Sequence, residues 1–242
     1  MKLLIDIGNT RIDIAIKDKS LKIWRSILTA SKFNLPSYLC KNTSKVIVCS
    51  VVPHKSKELE SFFRKKGIKS FFVGRDLKVP LKINYRQKDN LGQDRILCCY
   101  GARSFFPQGE ISVLDFGTAL TLDFLSCANV YEGGIIFPGV QLSLECLINK
   151  ASLLKNTKLE PFRKPRRMIA KTTKDCILSG VFYGYKALCE GLVNKMRKKY
   201  PFLKVVLTGG GCSIAKDWDF IDLIEPHLSL YGLNKLTEYY KI

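Results

Sequence analysis

Histidine is nearly absent from this chain, and so is every local pattern that would hold zinc. Only His54 and His227 occur, neither close to a cysteine in sequence, and none of the nine cysteines forms a Cys-x-x-Cys. Zinc-binding spacings are thereby excluded. No uninterrupted apolar run is long enough to span a bilayer, because Lys, Asp or Gly breaks each one. The N-terminus lacks a basic segment followed by an apolar core and a cleavage site, so a cytoplasmic protein without disulfides is expected. An RNA-recognition signature and a sustained heptad are missing as well. Acidic residues are scarce: 21 stand against 40 Lys and Arg, for a net charge of +19. The densest basic clusters are Arg163-Lys164-Pro165-Arg166-Arg167 and Lys195-Met196-Arg197-Lys198-Lys199. Such a charge suits nucleic acid, steering of anionic substrates, or simply the solvated faces of a lysine-rich chain. With no nucleic-acid-binding motif beside it, nucleic acid is not the expected partner.

What is present is a chain of 242 residues, 46% hydrophobic, long enough for one large or two medium domains with a sizeable core. The stretch around which it is organised opens the sequence. Leu3 to Ile5 reads as a buried strand that stops at Asp6, Ile7-Gly8-Asn9-Thr10 as a tight turn, and Ile12, Ile14 and Ile16 as a returning strand. A turn glycine lets backbone approach a bulky anion, and turn N–H groups can face phosphate oxygens. A carboxylate beside that anion would repel it unless a metal ion lies between, so Asp6 implies a divalent cation. The pattern returns at Ile111-Ser112-Val113-Leu114-Asp115-Phe116-Gly117-Thr118, followed by Thr121 and Asp123. Two Asp-x-Gly hairpins one small domain apart indicate duplicated halves with a nucleotide between them. An ordinary hairpin explains either copy alone, but not the repeat.

Alternating strands and helices mark an α/β chain. Strands are expected to about Ile23-Trp24, over Lys45–Val52 ended by Pro53, and over Ser70–Val73; helices are expected over Ser31–Leu39 and Lys57–Lys66, the latter closed by Gly67. Lys82–Gly92 looks irregular. It leads into Gly92-Gln93-Asp94-Arg95 and a helical pattern, with Asp94 at a capping position. Arg95 in a first helical turn opposes the dipole, which points to an anionic or acidic neighbour. Gly133-Gly134 and Pro138-Gly139 are read as turns bracketing a strand, Val140–Leu153 as a helix, and Leu154–Arg167 as a basic, mobile loop. A long helix from Thr173 to about Lys199 carries Gly180, Gly184 and Gly191, each unfavourable there by about 1 kcal/mol, which suggests close packing against another helix or subunit. Lys204–Leu207 is a strand running into Thr208-Gly209-Gly210-Gly211, and a short C-terminal helix follows Leu228.

The hairpins resemble those that open each half of the acetate and sugar kinase, heat-shock chaperone and actin superfamily. The full set of motifs, Asp6–Thr10, Gly92–Arg95, Asp115–Thr121, Gly133–Gly139 and Thr208–Gly210, resembles type III pantothenate kinase, and the Thr173…Ser179-Gly180 spacing fits the same pattern. The resemblance implies two actin-like (ribonuclease H-like) halves, 1–107 and 108–242, with a nucleotide cleft between them. It implies ATP-dependent phosphorylation of pantothenate at the start of coenzyme A synthesis, by a homodimer whose pantothenate site lies at the dimer interface. Asp6, Ile7, Gly8, Asn9, Thr10, Arg11, Ile12 and Asp13 would form the first ATP-binding hairpin, with Asp6 near magnesium; Thr118 would contact ATP from the second. Asp94 would be the general base. Tyr85, Gly92, Gln93, Asp94, Arg95 and Thr173 would hold pantothenate, and Asp115 a monovalent cation, potassium or ammonium. An alcohol acceptor needs such a base, and the leaving phosphate needs metal and backbone N–H groups rather than a protein nucleophile.

Two positions depart from the family pattern: Gln87-Lys88-Asp89-Asn90 lacks a proline usual before Gly92, and Lys150-Ala151 replaces Thr-Ala. The high charge is also untypical. A non-catalytic homologue acting as a transcriptional accessory factor would account for that charge, but has no need of Asp6, Asp94, Arg95 and Asp115 together. A superfamily kinase or ATPase with another acceptor would not need Gly92–Arg95.

Overall fold

The computed structural model describes residues 1–154 and 164–242, so the loop expected over Leu154–Arg167 falls mostly outside the described residues. The chain separates into two compact units. The first comprises Met1–Gln108, Leu125–Gly133 and His227–Ile242; the second comprises Gly109–Phe124 and Gly134–Pro226. The first unit thus takes in two stretches, 125–133 and 227–242, that lie beyond the sequence boundary drawn at 107/108.

In the first unit, strands β1 (Lys2–Ile7), β2 (Arg11–Lys17), β3 (Leu21–Leu28), β4 (Lys45–Ser50) and β5 (Lys69–Phe72) form one sheet in the order β3-β2-β1-β4-β5. The first three are antiparallel; β1, β4 and β5 run parallel. Period-2 alternation sends Leu3, Ile5, Ile7, Ile12, Ile14, Val46 and Val48 to one fully buried face. That face is covered by α2 (Pro53–Lys65), whose Leu59 and Phe63 are wholly buried. The other face carries Asp6, which is paired in register with Asp13 on one side and Cys49 on the other. Against β1, β2 and β4 packs α6 (Leu228–Tyr239), which in turn packs closely on α3 (Gln93–Ala102). Gly101 and Gly232 make that contact: a Cβ at Gly101 would collide with Leu228 O, and one at Gly232 with Leu97 O.

The second unit repeats the plan. Strands β7 (Ile111–Phe116), β8 (Ala119–Leu125), β9 (Val130–Pro138), β10 (Lys204–Thr208) and β11 (Leu223–Ile224) stand in the order β9-β8-β7-β10-β11, with β7, β10 and β11 parallel; the last residue of β8 and the first four of β9 are counted in the first unit. This is the same order as in the first unit, and it is the ribonuclease H-like arrangement of an actin-like half. The core gathers Leu114, Phe116, Leu122, Val205, Leu207 and Trp218. Among the described residues of this unit are the α-helices α4 (Val140–Lys150) and α5 (Thr173–Lys199). By length and composition α5 could cross a membrane; one face of it buries Ile177, Leu178, Phe182, Cys189 and Val193 within the unit.

Several element ends differ from expectation. The strand β1 continues through Asp6 to Ile7, and β3 continues to Leu28 rather than ending near Trp24. The helix expected over Ser31–Leu39 is α1 (Ser37–Asn42), for which Pro36 is the cap rather than a first-turn residue. Pro53 opens α2 at its first position instead of merely ending a strand, as fixed φ and a missing N–H allow. The sequence Gly133-Gly134 is no turn: β9 runs through it, with Gly133 at φ +103°. The stretch before Gly92 holds a short strand, β6 (Lys82–Ile83), paired with Val130 and Tyr131, and a tight helical turn over Lys88–Asn90.

Candidate active site

In each hairpin the turn glycine makes the closing bond, to a carbonyl three residues on in the first and two residues on in the second. Gly8 N–H donates to Arg11 O at 2.9 Å, and Gly117 N–H donates to Ala119 O at 3.1 Å. In each, an aspartate stands two residues before the glycine on the end of a central strand.

In the first unit the sheet pairing brings Asp6 and Asp13 side by side, and Asp94 is near enough to act on Asp6 electrostatically. Desolvation pushes Asp6 from 3.8 up to about 7; hydrogen bonds with Ser229 and Cys49 oppose the rise, while the charges of Asp94 and Asp13 add to it. Asp13 goes the other way. Its burial would raise it, but hydrogen bonds with His227 and Ser26 and the charges of His227 and Arg11 hold it below the ordinary carboxylate value. His227 Nδ1 lies 3.5 Å from Asp13 Oδ2. Burial, followed by the charges of Asp6 and Asp94, drives the Cys49 thiol well up, so it stays neutral beside them.

Asp94 is the second residue of α3, and the cap is Gly92, not Asp94. Its Oδ1 accepts the Arg95 N–H at 2.9 Å. A side chain at Gly92 would collide with that same oxygen, so glycine is required for the carboxylate to sit where it does. Gln93 lies against Gly74, at φ +89°, where an added Cβ would come within 2.9 Å of its side chain. Gly92 and Gln93 help line a polar cavity of about 480 Å³ with Ser50, Gly74, Lys88 and Asn90. Tyr85 packs near Tyr131, ring centroids 6.3 Å apart, over the bare backbone of Gly133. In the first unit Asp94 thus lies within electrostatic reach of Asp6, while Tyr85 stands beside Tyr131 and Gly133.

The second unit holds the remaining candidates. Asp115 ends β7 opposite Thr208. A Cβ on Gly209 would strike its carboxylate, one on Gly211 would crowd Phe116, and one on Gly139 would strike the carbonyls of Gly117 and Thr118. Two separate turns, after β9 and after β10, thus bring backbone up to the second hairpin with no side chain intervening. Gly139 N–H donates to Thr118 O at 3.0 Å, and Tyr185 on α5 donates its hydroxyl to Pro138 O at 2.8 Å. Thr173 is the exposed first residue of α5, whose cap is Thr172.

Sequence reasoning missed Ser229, His227 and Cys49. Each touches the carboxylates from a distant part of the chain, and Ser229 on an amphipathic helix carries no local mark of its role. The glycine pair 101/232 was equally silent, since each glycine reads alone as a helix weakness.

Among the described residues no group of three or more His, Cys, Asp or Glu side chains could hold a metal by itself. The first unit's carboxylates nonetheless fit a divalent cation that arrives with phosphates. Magnesium is commonly held by one or two carboxylates plus substrate phosphates and water, and the crowding of Asp6, Asp13 and Asp94 leaves negative charge to be compensated.

Comparison with known proteins gives a consistent result. The profile of the type III pantothenate kinase family matches residues 2–195. The type III pantothenate kinase of Sulfurihydrogenibium sp. (strain YO3AOP1) is 33% identical over 258 aligned residues, covering 99% of this chain and 100% of the relative. That of Syntrophobacter fumaroxidans is 33% identical, covering 98% of each chain. Among solved structures, a Campylobacter jejuni protein described as a Baf-family transcriptional activator superposes with a TM-score of 0.64 at 22% identity, covering 99% of this chain and 98% of its own. Component A of the (R)-2-hydroxyglutaryl-CoA dehydratase of Acidaminococcus fermentans gives 0.54 at 12% identity, covering 99% and 97%. These two likenesses are of fold alone.

Proposed function

Because this chain belongs to the type III pantothenate kinase family, we propose that it transfers the γ-phosphoryl group of ATP to the primary hydroxyl of pantothenate. The products are 4′-phosphopantothenate and ADP, at the first step of coenzyme A synthesis in the cytoplasm. The observation that carries the reading, beyond membership, is that Asp6 and Asp94 lie in one unit within electrostatic reach of each other, although 87 residues stand between them in the sequence.

The residues divide the work as follows. Asp94, fixed by Gly92 and the Arg95 N–H, accepts the hydroxyl proton as the oxygen–phosphorus bond forms. Arg95 faces the substrate carboxylate or the moving phosphoryl group. Gly92, Gln93 and Tyr85, together with Thr173, bind pantothenate. Residues Asp6–Asp13 and Thr118 bind ATP from the two hairpins. Magnesium, held by Asp6 and the ATP phosphates, supplies charge compensation for the leaving oxygens. Asp115 holds potassium or ammonium in its glycine cradle. The active form is a homodimer joined through α5. On that helix Gly180 and Gly184 have nothing within 4 Å of an added Cβ and, with Leu147, Ile177, Val181 and Leu188, line an apolar hollow of about 670 Å³.

The transcriptional reading is not adopted. The structural relative so described resembles this chain in fold alone, and a pure binding module has no use for a base at Asp94 beside a metal-binding Asp6. The deciding experiment is incubation of the purified protein with ATP, magnesium, potassium and pantothenate. Phosphopantothenate is the expected product, and its absence while ATP is bound or turned over on another acceptor refutes the assignment. Replacing potassium by sodium should lower the rate at least several-fold; equal rates would remove the monovalent site from the scheme.

A further inference from the structure

Thr29 lies just past the end of β3 and is 4% exposed. It is attached twice to the first hairpin turn. Its hydroxyl donates to Gly8 O at 2.7 Å, and its own N–H donates to Thr10 O at 2.9 Å. Two carbonyls of a three-residue turn are thereby drawn to one side. A trans peptide points its N–H opposite to its carbonyl, so the Asn9 and Arg11 N–H groups are turned away from Thr29. In the second hairpin one turn carbonyl is also held from another segment: Gly139 N–H donates to Thr118 O.

We infer that Thr29 is a positioning residue for the nucleotide: its hydroxyl orients the hairpin turn so that main-chain N–H groups, not carbonyls, face the ATP phosphates. This rests on the ATP-binding reading of Asp6–Asp13. The physical need is direct. A peptide carbonyl turned toward a phosphate adds a negative dipole end to an already anionic ligand, whereas an N–H compensates it. A turn whose middle is glycine and asparagine has little intrinsic preference for either orientation, and a buried hydroxyl supplies one.

The test compares Thr29→Val, which keeps size and the backbone N–H but loses the donor, with Thr29→Ser, which keeps the donor. Thr29→Val should weaken magnesium–ATP binding in calorimetry by about tenfold and raise the ATP KM in parallel. The pantothenate KM should stay within about twofold, and Thr29→Ser should recover most of the loss. A folded Thr29→Val protein with wild-type nucleotide affinity overturns the inference. So does a Thr29→Ser protein as weak as Thr29→Val, or an equal rise in both KM values, since these describe general damage to the fold. If Thr29→Val does not fold, Thr29→Cys, of similar size with a weak donor, replaces it with the same expected loss. A wild-type protein that binds magnesium–ATP but leaves pantothenate untouched refutes the acceptor assignment alone. One that binds no nucleotide refutes both.

Discussion

Asp6 and Asp94 carry the same functional group in different surroundings. Asp94 sits in the first turn of α3, where one carboxylate oxygen accepts the Arg95 N–H. Asp94→Asn keeps the size and should fold, yet cannot take a proton; turnover should fall by about 10²–10⁴-fold with ATP binding retained. Steady-state kinetics beside calorimetry check this, and a variant with more than about a tenth of wild-type turnover at saturation would refute it. Asp6 gives a prediction about pH. Its folded value is raised from 3.8 to about 7, so the stability it contributes is complete below about pH 4 and is lost as pH rises through about 7. In metal-free protein, Asp6→Asn should therefore gain melting temperature over wild type, and gain more at pH 8 than at pH 5. A constant difference across that range would mean that Asp6 is not strained when ionised. Asp13, held low, acts in a separate window: its contribution is present above about pH 4 and disappears in acid.

At the scale of elements, the helices α3 and α6 are joined through bare backbone. Gly232→Ala would drive a methyl group into the Leu97 carbonyl, and a shift of α3 would carry Asp94 with it. Urea unfolding should show a loss of about 1–3 kcal/mol, and turnover should drop further than the lost stability explains. Gly184→Ala is the contrasting case within one chain: nothing lies within 4 Å, so the helix should tolerate it. How legible these features were in sequence follows from their range. The hairpins could be read because two-residue alternation and an Asp-x-Gly turn are local, and their recurrence at Asp115 disclosed the duplicated plan. Gly92–Arg95 could be read as a helix start, but the cap was assigned to Asp94 because capping propensity speaks for Asp and nothing local announces that Gly92 must clear space for it. The ends of β3 and α1 were misplaced where Pro36 and the bend after Leu28 are resolved by tertiary contacts. Ser229 and His227 could not be read at all: their partners, Asp6 and Asp13, lie at the other end of the chain, and no periodicity records a contact of that kind.

At the scale of the whole molecule, the apolar hollow on α5 bears on assembly. Wild-type protein should scatter light as a particle of twice 27.5 kDa, and Gly184→Glu, which places a charge in the hollow, should give the single mass with secondary structure unchanged. A wild-type monomer at working concentration would end the dimer proposal. The order of the chain through its two units bears on something else. The first unit begins at Met1 but includes His227–Ile242, with almost all of the second unit threaded in between. On a ribosome, Asp6 and Asp13 emerge early, while Ser229 and His227 emerge only after the second unit has been translated. At about 5–20 residues per second, the sheet face that carries the phosphate hairpin waits roughly ten seconds or more without the helix that covers it. A nascent chain released before residue 227 would display that face, with its ionisable pair unsupported, to every chaperone in reach. The helix α6, which holds none of the motifs, is thus made after both hairpins, and it is the element that covers the sheet face bearing Asp6.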